Sequence, residues 1–236
     1  TVVTAGWLDE IEGLCKRHPD IGIAGPQSNT YGLHPKRGQS PGELAGSLQS
    51  LSGSYVESAS CVGFCMFIRR EVMQKIGFLD EAFGQGYFED TDFCRRAIAA
   101  GFRCVIAAGA YVWHREHSTF LDAARDALFQ RNKKIFQERW GIPERILCIV
   151  PERSADPALF EKETGFCLGL ARKGNWVWVI GASRDRKELF HKLGIHGNIK
   201  VLTAPRPLLG LRSLLLVLAR QKKKIEILRT RRDNGK

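Results

Sequence analysis

Apolar residues in the stretch WLDEIEGLCKR (7–17) recur so that Trp7, Leu8, Ile11, Leu14 and Cys15 share one face, which predicts a helix. Gly6 and Pro19 punctuate its two ends. IGIAGPQSN then reads as a short buried strand broken by Gly25–Pro26. Residues 28–54, rich in Gly, Ser, Pro and Gln and without periodicity, read as a long loop of the kind that often forms a lid or binding segment. CMFIR follows as a buried strand. REVMQKIG follows it as a short helix, with Val72, Met73 and Ile76 inward and Gly77 as its stop. FLDEAFGQGYF is a loop. Over 91–100, Phe93, Ala97 and Ala100 share a face, Asp92 and Arg96 stand four apart, and Gly101 closes a helix. CVIAAGAYVWH has strand character up to His114, and 121–139 predicts a long amphipathic helix ending before Gly141–Ile142–Pro143.

From about Ile146 the pattern becomes more regular. ILCIV, VWVIG, IKVLTA and IEIL are short apolar strands alternating with helical stretches 157–173, 184–193 and 206–221. That alternation predicts a parallel sheet flanked by helices. The expected class is therefore α/β in two domains, 1–145 and 146–236. A length of 236 residues, 44% hydrophobic and 26% charged, suits packed cores rather than disorder.

Charge sharpens the division. Residues 1–146 hold 17 Lys and Arg against 17 Asp and Glu, so the whole +11 falls on the remainder. A basic second domain can meet nucleic acid, anionic lipid headgroups or a phosphorylated substrate, or can simply be well solvated. Its RQKKK and RTRR clusters lack interleaved aromatic residues, which ranks nucleic acid low and keeps peripheral membrane docking as the expectation. The seven cysteines include no CxxC pair, pointing to reduced buried thiols and a cytoplasmic chain. No signal peptide is visible, and the longest apolar run, Leu214–Ala219, is far short of the roughly 20 residues a membrane span needs.

GYFEDTDFCRR (86–96) packs Glu89, Asp90 and Asp92 into four positions. Two readings stand. In one, Asp90 caps a helix and Asp92 opposes its dipole, together worth about 1–2 kcal/mol. That account does not require Glu89, nor the aromatic run before it. In the other, a carboxylate at a loop mouth flanked by aromatic walls such as Tyr87 is a general base near an acceptor hydroxyl. His114, at a strand end, is either a packed histidine or a ligand. Its HxxH with His117 falls on an irregular segment, where that spacing does not set both rings on one metal.

The order TVVTAGWLD, IGIAGPQSN, CVGFCMFIRREVMQKIGFLDEAFGQGYFEDTDFCRRAIAAGFR, YVWHREHSTF and RNKKIFQERWG, over about residues 1–141, resembles the family 2 glycosyltransferases of GT-A fold. The resemblance implies an inverting, hexosyltransferase-type transfer from a nucleotide sugar. By it, Asp90 is the base that deprotonates the acceptor hydroxyl, and Glu89 holds the acceptor or orients the base. Gly63 and Phe64 lie in the loop beneath sugar and acceptor, Tyr87 stands beside them, and Asp92 and Arg96 support the acceptor side. His114 completes a divalent-metal site for Mn or Mg. In the family a nucleotide-binding half ending in an Asp-x-Asp motif precedes a stretch like TVVTAGWLD, whereas Thr1 opens this chain. The expectation is a partial GT-A (Rossmann-like nucleotide-diphospho-sugar transferase) domain that does not turn over alone.

ETGFCLGLARKGNWVWVIGAS resembles the opening of the N-terminal Rossmann-like domain of GT-B glycosyltransferases. It lacks GxGxxG, and GASRDRK lacks the GxxxxGK[ST] phosphate loop. The expected second domain is a small parallel α/β module, truncated, with or without a site of its own. The functional expectation is transfer to a glycan or lipid-linked acceptor, against a rival reading as a non-catalytic scaffold binding glycan or an anionic surface.

Overall fold

The computed structural model describes residues 1–115, 122–205 and 226–228. The chain divides between Ile142 and Pro143. The first unit runs β1 (Val2–Val3), α1 (Trp7–Arg17), β2 (Ile21–Gln27), α2 (Pro41–Ser47), β3 (Tyr55–Ser58), β4 (Phe67–Ile68), α3 (Arg70–Ile76), α4 (Glu89–Ala99), β5 (Arg103–Trp113) and α5 (Asp122–Trp140).

β5 organises a mixed five-stranded sheet. β2 pairs with it in parallel along one edge, while β3 (Tyr55↔Ala107) and β1 (Val2↔Trp113) pair antiparallel with successive parts of it. β4 pairs antiparallel with β2 through Ile23↔Ile68 and Ala24↔Phe67. Side chains alternate across the pleat, so one face of the sheet packs Val105 and Ala107 against Ile11, Leu14 and Cys15 of α1. The opposite face packs Ile23, Cys104 and Ile106 against Val72 of α3 and Phe93, Cys94 and Ala97 of α4. Acidic residues open α1 (Asp9, Glu10) and basic ones close it (Lys16, Arg17), each favourable to its dipole.

Four elements depart from the sequence expectation. β2 continues through Gly25–Pro26 to Gln27. β4 pairs with it only as far as Ala24, so Pro26 forfeits no ladder bond on that side. The 28–54 loop contains α2, closed by a capping box in which the Ser40 hydroxyl accepts from the Glu43 amide and the Glu43 carboxylate accepts from the Ser40 amide. The strand expected over CMFIR shrinks to Phe67–Ile68, and β3, not anticipated, takes the longer pairing.

The second unit runs β6 (Arg145–Ile149), α6 (Pro157–Arg172), β7 (Trp176–Ala182), α7 (Arg186–Leu193), β8 (Ile199–Ala204) and β9 (Glu226–Leu228). Its sheet is parallel throughout, in the order β8-β7-β6-β9. Ile146, Cys148, Val177 and Val179 pack with Phe160 and Cys167 of α6 and Leu189 of α7. The architecture is mixed α/β, as the pattern predicts. The expected helix 206–221, the clusters RQKKK and RTRR, and His117 lie outside the described residues. No helix among the described residues is long and apolar enough to cross a membrane.

Candidate active site

β2 and β5 are parallel, so their carboxyl ends lie side by side, the usual position of a ligand crevice in an α/β sheet. Asn29 follows β2 and His114 follows β5. The Asn29 side chain clamps the His114 backbone, donating to its carbonyl (2.7 Å) and accepting from its amide (2.8 Å). Thr30 Oγ1 stands 3.4 Å from His114 Nδ1. The imidazole stacks on Phe64 with centroids 4.6 Å apart and planes 9° apart.

Opposite them, α4 begins at Glu89. The carboxylate cluster does not supply its cap, which corrects the helix-cap reading of Asp90. Phe88 occupies the cap position without a side-chain bond, and Asp90 lies inside the first turn. Tyr87 and Phe88 both have positive φ, 66° and 74°, a left-handed pair with no glycine in it. Such conformations cost of order 1–3 kcal/mol each and persist where the surroundings over-determine them. Here the Phe88 ring lies between Phe129 and Phe136 of α5, at 5.4 and 5.2 Å, and Tyr87 meets Phe129 edge-on.

That turn aims Glu89 and Asp90 at a cavity of about 650 Å³, lined also by Gly63, Phe64, Tyr87 and His114. Asp90 Oδ2 accepts from the Gly63 amide at 2.7 Å, and Oδ1 accepts from the Thr91 amide at 2.6 Å. Burial pushes the Asp90 carboxyl above the usual carboxylate range, opposed by the Gly63 N–H. Burial also raises Glu89, and the neighbouring Asp90 charge adds to the rise. Glu89 Oε2 is buried without a hydrogen-bond partner. A Cβ on Gly63 would lie 3.3 Å from Asp90 Cβ, so glycine is what lets the loop approach the carboxylate. Tyr31, whose phenol burial pushes upward, accepts from the Val62 amide and fixes the same loop.

Of the residues singled out from the sequence, Gly63, Phe64, Tyr87, Glu89, Asp90 and His114 line one cavity. Asp92 and Arg96 do not line it. Asp92 is fully buried beneath α4, accepting from Arg96 Nε (2.8 Å), Arg139 (2.7 Å) and Trp140 Nε1 (2.9 Å). Arg96 also donates to the carbonyls of Ile76 and Phe78. Sequence reasoning passed over Asn29, Thr30, Tyr31 and Phe129, which only the fold brings here. The long apolar-poor loop after β2 was the one available signal for the first three.

A divalent cation was implied beside His114. Among the described residues, no three His, Cys, Asp or Glu side chains come together as a metal cage, and both Asp90 oxygens are engaged. The cavity wall offers the His114 imidazole and the Glu89 and Asp90 carboxylates without grouping them as a cage, and a cation there needs ligands beyond these residues.

A mixed α/β unit with two desolvated carboxylates facing an aromatic-walled cavity at the strand ends has the form of a small-molecule site. The family model described as glycosyl transferase family group 2 matches residues 1–180, and the chain belongs to that family. The match crosses the boundary between the units and ends within β7, well past the 1–141 stretch that carries the resemblance. The chain is also similar to the uncharacterized protein y4gI of Sinorhizobium fredii, 28% identical over 162 residues, 59% of this chain and 17% of that protein. It thus spans a small part of that relative's length.

Proposed function

We propose that the first unit forms the acceptor side of an inverting, nucleotide-sugar-dependent glycosyltransferase, with Asp90 as the base. The observation that carries this reading is the Asp90 carboxylate. It is desolvated at the cavity and fixed by the Gly63 amide, and its proton affinity is raised toward that of an effective general base. An acceptor hydroxyl entering the cavity gives its proton to Asp90 as its oxygen attacks the anomeric carbon, and the nucleoside diphosphate leaves from the opposite face. The Glu89 carboxylate on the cavity wall takes a hydrogen bond from a second hydroxyl of the acceptor and orients it. Phe64, held flat by the His114 stack, supplies an apolar floor for a sugar ring. A glycan or lipid-linked acceptor and a hexosyl donor suit this cavity, and the basic second unit is assigned to docking at an anionic membrane surface.

Asp90→Asn tests the assignment in the protein that carries this chain. Asparagine keeps the oxygen that accepts from Gly63 but cannot take a proton, so transfer should fall by about 10²–10⁴-fold while nucleotide-sugar binding is unchanged. Turnover near that of the unaltered protein would remove Asp90 from the base role.

A further inference from the structure

α5 presents Phe129, Asn132, Phe136, Arg139 and Trp140, at helical spacing, to the segment that carries the carboxylates. Asn132 is fully buried among them. Its side-chain amide donates toward three backbone carbonyls, those of Phe83 (2.5 Å), Gly86 (2.7 Å) and Tyr87 (3.1 Å). These carbonyls belong to the turn whose last two residues are left-handed and whose helix starts without a side-chain cap. No other described side chain ties that turn together through its backbone. The aromatic contacts of Phe129 and Phe136 are non-directional and hold rings, whereas two N–H groups aimed at three carbonyls specify where the peptide planes point.

We infer that Asn132 is a positioning residue, whose amide locks the 83–88 turn in its left-handed form and so holds Glu89 and Asp90 against the cavity. The catalytic consequence rests on the transferase reading above; the lock on the turn does not. Without Asn132 the turn is free to relax to ordinary backbone angles. The first turn of α4 would then rotate or fray, and Asp90 would leave the Gly63 amide. A displacement of about 1 Å in a reacting group is enough to cost on the order of 100-fold in rate.

Two measurements on Asn132→Ala and Asn132→Leu test this, with Asp20→Asn as a control. The control weakens the Asp20–Arg103 pair, which does not line the cavity. In the 236-residue chain, amide hydrogen exchange over residues 84–92 should accelerate at least tenfold in the Asn132 variants and stay unchanged in the control. Unchanged exchange there overturns the inference whatever the activity. In the protein that carries this chain, kcat should fall about 100-fold with the donor KM within about twofold, and the acid limb of the pH–rate profile should move. Faster exchange with kcat and pH profile intact overturns the positioning role. The transferase reading fails separately, if Asp90→Asn leaves transfer intact; the exchange measurement then still decides whether Asn132 holds the turn.

Discussion

Replacing Asp92 with asparagine isolates the buried charge that ties α4 to α5. The carboxylate is fully buried and accepts three hydrogen bonds, two from guanidinium groups and one from the Trp140 indole. Asparagine preserves volume and can keep the Oδ1 contacts to Arg139 and Trp140. It turns an NH₂ toward Arg96 Nε, donor against donor, and removes the charge facing both arginines. Breaking a buried pair from one side costs about 3–5 kcal/mol. Arg96 and Arg139 are partly exposed, 22% and 36%, so water recovers part of that cost. The expected loss is therefore nearer 2–3 kcal/mol. For a unit of this size that corresponds to a fall in Tm of roughly 6–12 °C. Urea unfolding followed by tryptophan fluorescence, which Trp140 should report, and thermal denaturation both read it. The loss should change little between low and moderate salt, because a buried pair is weakly screened. A loss below about 0.5 kcal/mol, or one that vanishes with salt, refutes the argument and makes the network a surface ion pair in effect.

Gly63→Ala should lower transfer by about tenfold with little change in Tm, because the new Cβ sits 3.3 Å from Asp90 Cβ and pushes that carboxylate slightly away from its place on the loop amide; steady-state kinetics beside a melting curve separate the two. Burial raises the carboxyls of Asp90 and Glu89, so their ionisation is easier in the unfolded chain. They favour folding below the ordinary carboxylate range, and that contribution is lost as pH rises through their raised values. Asp90→Asn and Glu89→Gln should accordingly raise Tm at pH 7 and lose that advantage below about pH 4; a Tm gain that persists undiminished in acid contradicts the linkage. In the second unit, a methyl on Gly181 would meet Leu189 Cδ1 at 2.4 Å, so Gly181→Ala should cost about 1–3 kcal/mol, read as increased proteolysis within residues 143–205.

Much of the secondary structure was legible from local chemistry. α1, α3, α4, α5, α6 and α7 follow from apolar spacing and glycine or proline stops, and β5 through β9 from short apolar runs. The capping box of α2 was written in Ser40-Pro41-Gly42-Glu43, although composition masked it as loop. β3 escaped notice because its partner is almost fifty residues away on β5, and pairing of that range leaves no local period.

The candidate site divides the same way. A crowd of like charges beside aromatic residues marked Glu89, Asp90 and Tyr87 from the sequence alone, because repulsion without compensation is unusual in a chain segment. That Asp90 faces a cavity while Asp92, two residues on, is sealed beneath the helix follows from the 100° turn per residue, but only packing decides which face looks inward. The left-handed pair Tyr87–Phe88, its lock by Asn132, and the Asn29 clamp on His114 join residues 45 to 85 positions apart. Local sequence determined the elements and nominated the carboxylates. The tertiary structure chose their direction, since contacts across the chain set the energy of a strained turn and the burial of a charge.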